Sequence, residues 1–193
     1  MTTMTPSEID ALLSQPGPLQ LSGIDLSGVD LQQANLAMAQ LSDANLCGAN
    51  LTLANLCGAS LIGANLIGAN LQKANLGGAD LRLADLSKAQ LVQASLRQAD
   101  LSETGLYGAD LSEADLTSAN LSGAKLLAAC FRAANLRAAD LSGAEMRLVD
   151  LRQANLADAS LIGANLIAAN LSSVDLSQAD LTVAIMPDGT KHR

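Results

Sequence analysis

The chain has 193 residues and a formal net charge of −8, and although 49% of it is apolar it holds one Phe, one Tyr and no Trp. The acidic balance argues against recognition of nucleic acid through clustered Lys and Arg, so no direct nucleic-acid binding is expected. With so few aromatic residues, the interior must be built from Leu, Ala and a few β-branched side chains.

The first residues, MTTMTPSEID, lack the basic start and apolar run of a secretory signal, which places the chain in the cytoplasm as an expectation. Thr5, Pro6, Ser7 and Glu8 form a capping box with Pro at the first helical position. This predicts a short helix from Pro6 to Ser14. Ile9, Leu12 and Leu13 fall on one face of it and can cover the open end of whatever follows. Residues 1–20 are therefore read as a tail and a capping helix.

From Leu21 to Leu181 every fifth residue is Leu, apart from Phe131 and Met146, which makes 33 consecutive five-residue repeats without insertion or deletion. Taking this Leu as the centre, Ala stands two residues before it, with Leu19, Ile24, Val29, Thr104, Val149 and Val174 as the exceptions, and Asn or Asp stands immediately before it in most repeats. An α-helix cannot use the pattern, because five residues advance the azimuth by about 500° and leave successive Leu residues about 140° apart. A flat strand fails because a period of five alternates Leu between its faces. A chain that turns a corner in every repeat fits, with Ala and Leu pointing inward and four corners closing one coil. No α-helix is expected within 21–185.

Gly occupies the second position after the centre in eleven repeats, where it can supply the positive φ of a type II turn. Repeats with Lys73, Leu83 or Glu103 at that position are expected to use another turn geometry. The four Pro residues, Pro6, Pro16, Pro18 and Pro187, all lie outside the repeats, as a ladder of N–H donors between coils requires. The apolar stretch 46–71 is not a membrane span, because Asn50, Asn55, Asn65 and Asn70 would bring amides into hydrocarbon around its circumference. At the end of the chain, 186–193, Met186 keeps the centre register and Pro187, Asp188 and Gly189 make a turn that stops the coil.

Segments such as ANLSG and ADLSE over residues 21–185 resemble the pentapeptide repeat family, whose pattern is A(D/N)LXX. The resemblance implies an all-β solenoid: a right-handed, four-sided β-helix, here of about eight coils and about 40 Å long at strand spacing, preceded by the capping helix. It also implies a binding or structural role. Some members associated with quinolone resistance bind DNA gyrase as negatively charged rods that resemble duplex DNA, which gives an alternative reading of this acidic chain as a DNA mimic that binds DNA gyrase or another topoisomerase.

Chemistry is sparse. The only histidine, His192, lies in the tail, and the carboxylates before the centre Leu point outward, where nothing excludes water; no catalytic, cofactor or metal residues are assigned. Cys47, Cys57 and Cys130 fall at outward positions without metal-ligand spacing, so three free thiols are expected. Residues 20 apart stack in columns. On this logic Lys125 pairs with Glu145 one coil later, and Phe131 fills core volume left by Ala128, Ala129, Ala133 and Ala134.

Two surfaces stand out. The column Ser27, Cys47, Ile67, Ser87, Tyr107, Leu127, Arg147, Ile167 is the most apolar of the outward ones, and its neighbour, Gly28, Gly48, Gly68, Lys88, Gly108, Ala128, Leu148, Ala168, is flat. Ile67, Tyr107, Leu127 and Ile167 are thus candidates for an interface, either with a protein partner or with a second copy packed antiparallel. The other surface is an acidic belt of Asp100, Glu103, Asp110, Glu113 and Asp115. It is followed by Arg132, Arg137, Arg147 and Arg152, and only Asp80 and Asp100 stack directly, which weighs against duplex mimicry.

Overall fold

The computed structural model describes residues 6–14 and 17–193, and the side chains of Pro6, Asp10 and Leu12 lie outside that description. A helix, α1, spans Pro6–Leu13. Ile9 is buried and Leu13 packs against the apolar end of the first coil. The expected cap at Thr5 and the packing of Leu12 fall outside the described residues.

From Gln20 onward the chain is a right-handed, four-sided β-helix in which residues 20 apart form parallel bridges, from Gln20 with Gln40 to Asn165 with Ile185. The centre residues and the Ala two before them are almost wholly inaccessible from Leu36 to Leu166, and Phe131 and Met146 are as buried as the Leu residues they replace. Ala128 and Ala133 are exposed. They free no interior volume for Phe131, because only Ala129 and Ala134 face inward and every coil has such Ala residues.

One repeat shows how the backbone is satisfied. The N–H of Leu46 donates to Asn65 O of the next coil (2.7 Å), that of Gly48 to Ile67 O (2.9 Å), and that of Asn50 to Val29 O of the previous coil (2.9 Å). The Ala49 N–H closes the corner on Leu46 O (3.0 Å). Only the N–H of Cys47 has no main-chain acceptor, and the side chain of Asn45 takes it at 3.2 Å. An Asn or Asp before the centre is therefore the acceptor for the one donor that the ladder leaves over.

The expectation of a second corner geometry is overturned. In 32 of the 33 repeats the second residue after the centre has φ between +54° and +69°, whether it is Gly or not; Lys73, Leu83 and Glu103 stand at 57°, 62° and 57°. The ladder on both sides fixes the corner, so 21 non-glycine residues accept the left-handed region at a cost of about 1–2 kcal/mol each.

The exception is Gln178, in the last coil. There the ladder is open between 154–158 and 174–178, with no main-chain bond from Leu156 or Asp158 to that coil, although Leu161 still donates to Asp180 O at 2.7 Å. Leu171, Val174 and Leu176 are only partly buried. The tail then folds back: Ile185 and Lys191 form an antiparallel bridge, and His192 N donates to Ala184 O at 2.7 Å, so the end of the chain is tied down rather than frayed.

Two measurements follow from this architecture. Leu96 is fully buried, and Leu96→Ala should lower unfolding stability in urea by about 2–5 kcal/mol through cavity formation. Arg97→Ala, which removes only an exposed ion pair with Asp115, should stay within about 0.5 kcal/mol. Ala138, exposed at φ 54°, should gain stability on replacement by Gly. The relief of left-handed strain exceeds the added chain entropy, so the urea midpoint should rise by the equivalent of about 0.5–1 kcal/mol.

Candidate functional site

Ile67, Tyr107, Leu127 and Ile167 occupy one straight column. The carbonyls of Ile67, Tyr107, Leu127, Arg147 and Ile167 accept in turn from Gly48, Lys88, Gly108, Ala128 and Leu148 of the preceding coil. Ile67, Tyr107 and Leu127 are 37%, 48% and 39% exposed, and Ile167 is half-buried. Their outward direction follows from the ladder, which turns Leu66, Leu106, Leu126 and Leu166 inward at 0% exposure.

The same side of the rod is bounded at its other edge by the corner column that holds Leu83 and Val183, 61% and 42% exposed. Reading the sequence one column at a time misses Leu83; setting Leu83, Asp85 and Ser87 side by side as one strand would have found it. Between the two edges runs the column Asn65, Asp85, Gly105, Lys125, Glu145, Asn165. Here the repeat departs furthest from its pattern. Thr104 replaces the inward Ala and donates its hydroxyl to Leu81 O at 2.8 Å, and Gly105 replaces the outward Asn or Asp. A side chain at Gly105 would meet the Asp85 carboxylate, and beside it lies a shallow concavity of about 340 Å³ whose lining includes Leu83, Asp85, Glu103, Gly105, Tyr107 and Lys125.

Lys125 and Glu145 are ladder neighbours but form no ion pair; Glu145 accepts from the Asn165 amide at 3.1 Å, and the expected pairing is corrected accordingly. Cys47 and Cys130 are half-buried, Cys57 is exposed, and all three are free. Among the described residues no group of three or more His, Cys, Asp and Glu could hold a metal ion, and no helix is long and apolar enough to cross a membrane.

The acidic belt is distributed around the rod and is partly neutralised. Arg82 binds Asp80 at 2.7 Å and lies 3.9 Å from Asp100, bridging the one direct carboxylate stack, and Arg97 binds Asp115 at 2.9 Å. Asp110 accepts from Ser112, and Glu113 accepts from Gln93 at 2.7 Å.

Hydrogen bonds hold several carboxyls below the usual Asp range. For Asp80 and Asp150 the main cause is the guanidinium of Arg82 and Arg152, respectively, and for Asp180 it is the hydroxyl of Thr182. A carboxyl whose pKa falls on folding stabilises the fold above its ordinary pKa, and that stability disappears as pH drops through the folded value. The urea midpoint should therefore be level from pH 7 to about 5 and decline below about pH 4. In the double variant Asp80→Asn, Asp150→Asn the decline should be shallower, and an unchanged acid profile would contradict the assignment.

A family model described as pentapeptide repeats matches the chain in eight copies, over residues 24–61, 39–78, 64–103, 89–126, 129–166 and 144–186. Among solved structures the chain is similar to HetL, a pentapeptide repeat protein involved in heterocyst differentiation regulation from the cyanobacterium Nostoc sp. strain PCC 7120. Identity is 44%, covering 90% of this chain and 78% of HetL, with a TM-score of 0.89. It is also similar to QnrB1, a plasmid-mediated fluoroquinolone resistance protein, at 19% identity over 86% of this chain and 89% of that one, with a TM-score of 0.54, a likeness of fold alone. No curated protein matches it.

Proposed function

We propose that this chain, which belongs to the pentapeptide repeat family, is a non-enzymatic regulatory module that docks a protein against the side carrying Ile67, Tyr107, Leu127 and Ile167. The observation that carries the reading is the column itself: Ile67, Tyr107, Leu127 and Ile167 are held outward in one line, with Ser87 and Arg147 between them, on a backbone satisfied almost completely by its own ladder. Such a surface is rigid before it binds, so little conformational freedom is lost on contact, and exposed apolar side chains gathered along one side of a rod suit an interaction site. The likeness to HetL, itself involved in regulating differentiation, supports a regulatory role. The gyrase-binding alternative draws less support: the Asp80 and Asp100 stack is bridged by Arg82, and duplex mimicry needs unbroken lines of negative charge.

The test is a photo-cross-linking amino acid placed at Tyr107 and, as a control, at Ala37 on the opposite corner, in the organism that makes the protein. A covalent protein adduct from position 107, absent from position 37 and lost when Leu127→Lys is added, is the expected result. No adduct from 107, or equal adducts from both positions, would mean that the column is bare surface.

A further inference from the structure

We propose that the partner of this side is the same side of a second copy, packed antiparallel about a twofold axis midway between the Gly105 and Lys125 rows. The inference rests on the side identified above and adds the occupant and its register. In this arrangement the coils before the axis lie over the partner's coils after it. Ile67 then meets the partner's Ile167, and Tyr107 meets the partner's Leu127, so the apolar column matches its own inverted image.

The corner column behaves in the same way, with protrusions opposite gaps. Leu83, the most exposed large apolar residue on this side, lies over the partner's Gly143, and Glu103 lies over the partner's Gly123. In the middle column Gly105 lies under the partner's Lys125. The concavity beside Gly105 thus receives a cation where Asp85 and Glu103, with the chain's own Lys125, form its wall.

Charge agrees with shape. Among the described residues Asp85, Glu103, Glu145, Lys125 and Arg147 make no ion pair within the chain. Asp85 faces the partner's Glu145 and the two Lys125 residues lie one coil apart across the axis, but Asp85 is flanked by the partner's Lys125 on one side and the partner's Arg147 on the other. Other registers fare worse. With the axis on the Gly105 row, Glu103 meets the partner's Glu103 and Ile67 meets the partner's Arg147; with the axis on the Lys125 row, the two Lys125 residues face each other. Parallel packing sets the apolar column against the corner column, so that Tyr107 meets the partner's Glu103.

The test uses the full chain with Cys47, Cys57 and Cys130 replaced by Ser, sedimentation across a concentration series, and a short bis-maleimide spanning about 10 Å, the separation of two packed sheets. Ile67→Cys with Ile167→Cys should cross-link to twice the 19.7 kDa chain mass. Either single variant should not, because equivalent positions then lie about five coils, or 24 Å, apart along the rod. Leu127→Lys should weaken dimerisation about tenfold or more, as central contacts do, whereas Ala37→Lys should leave it unchanged. Cross-linking of the singles, or a dimer indifferent to Leu127→Lys, would overturn the register. A monomer at every concentration would overturn the self-pairing; if the photo-adduct at position 107 then proves to be another polypeptide, the docking side stands without it.

Discussion

Everything in this molecule depends on the bonding between one coil and the next. In a regular repeat three of the five backbone N–H groups reach neighbouring coils, one closes the corner, and the Asn or Asp that precedes most centres accepts the fifth. The ladder allows one backbone path, repeated at a spacing of about 4.8 Å. Local preference is overruled, and Leu, Val and the two β-carboxylates Asp43 and Asp158 take up a corner conformation that Gly would adopt freely. The strain is spread over the whole rod in small amounts and is held by the cooperative closure of many coils.

The same constraint explains why the interior is monotonous and the exterior is not. Four inward Leu and four inward Ala share each narrow layer, so the inside tolerates little variation. Outward positions are held in place by the ladder whatever their side chains. That leaves the corners and the column before the centre as the places where a function can be written. Thr104 and Gly105 lie at this boundary. The inward hydroxyl is satisfied by Leu81 O, so the core accepts it, while Gly105 lets the Asp85 carboxylate lie close to the backbone beside Tyr107.

The repeat count and the inward and outward assignment were legible in the sequence because they follow from periodicity, and the right-handed, four-sided coil was what the family resemblance implied. The readings that failed concern matters periodicity does not encode. Lys73, Leu83 and Glu103 suggested a different corner because intrinsic preference was set against a tertiary constraint that outweighs it. Lys125 and Glu145 are adjacent in their column, yet adjacency fixes backbones and not rotamers, and Glu145 turns to Asn165 instead. Ala128 and Ala133 were credited with making room for Phe131, although Ala residues at corner positions point to solvent. Leu83 was missed because it belongs to a different column from the four candidates, and only the folded strand sets the columns side by side.

A uniform rod meets a particular difficulty in binding. Because every coil has the same height and the same backbone, sliding a partner by one coil leaves the main-chain fit unchanged, and only side chains can oppose the slip. The architecture shared with HetL and QnrB1 therefore says nothing about register or partner. Discrimination has to come from breaks in the repeat, and it is strongest where a protrusion and a gap lie close together. Gly105 and Lys125 form such a pair in adjacent coils at the centre of the apolar side, with Glu103 and Gly123 beside them. In the proposed pairing, a one-coil slip there would move Lys125 off the concavity and onto a like charge, a penalty that the flat apolar column alone cannot impose.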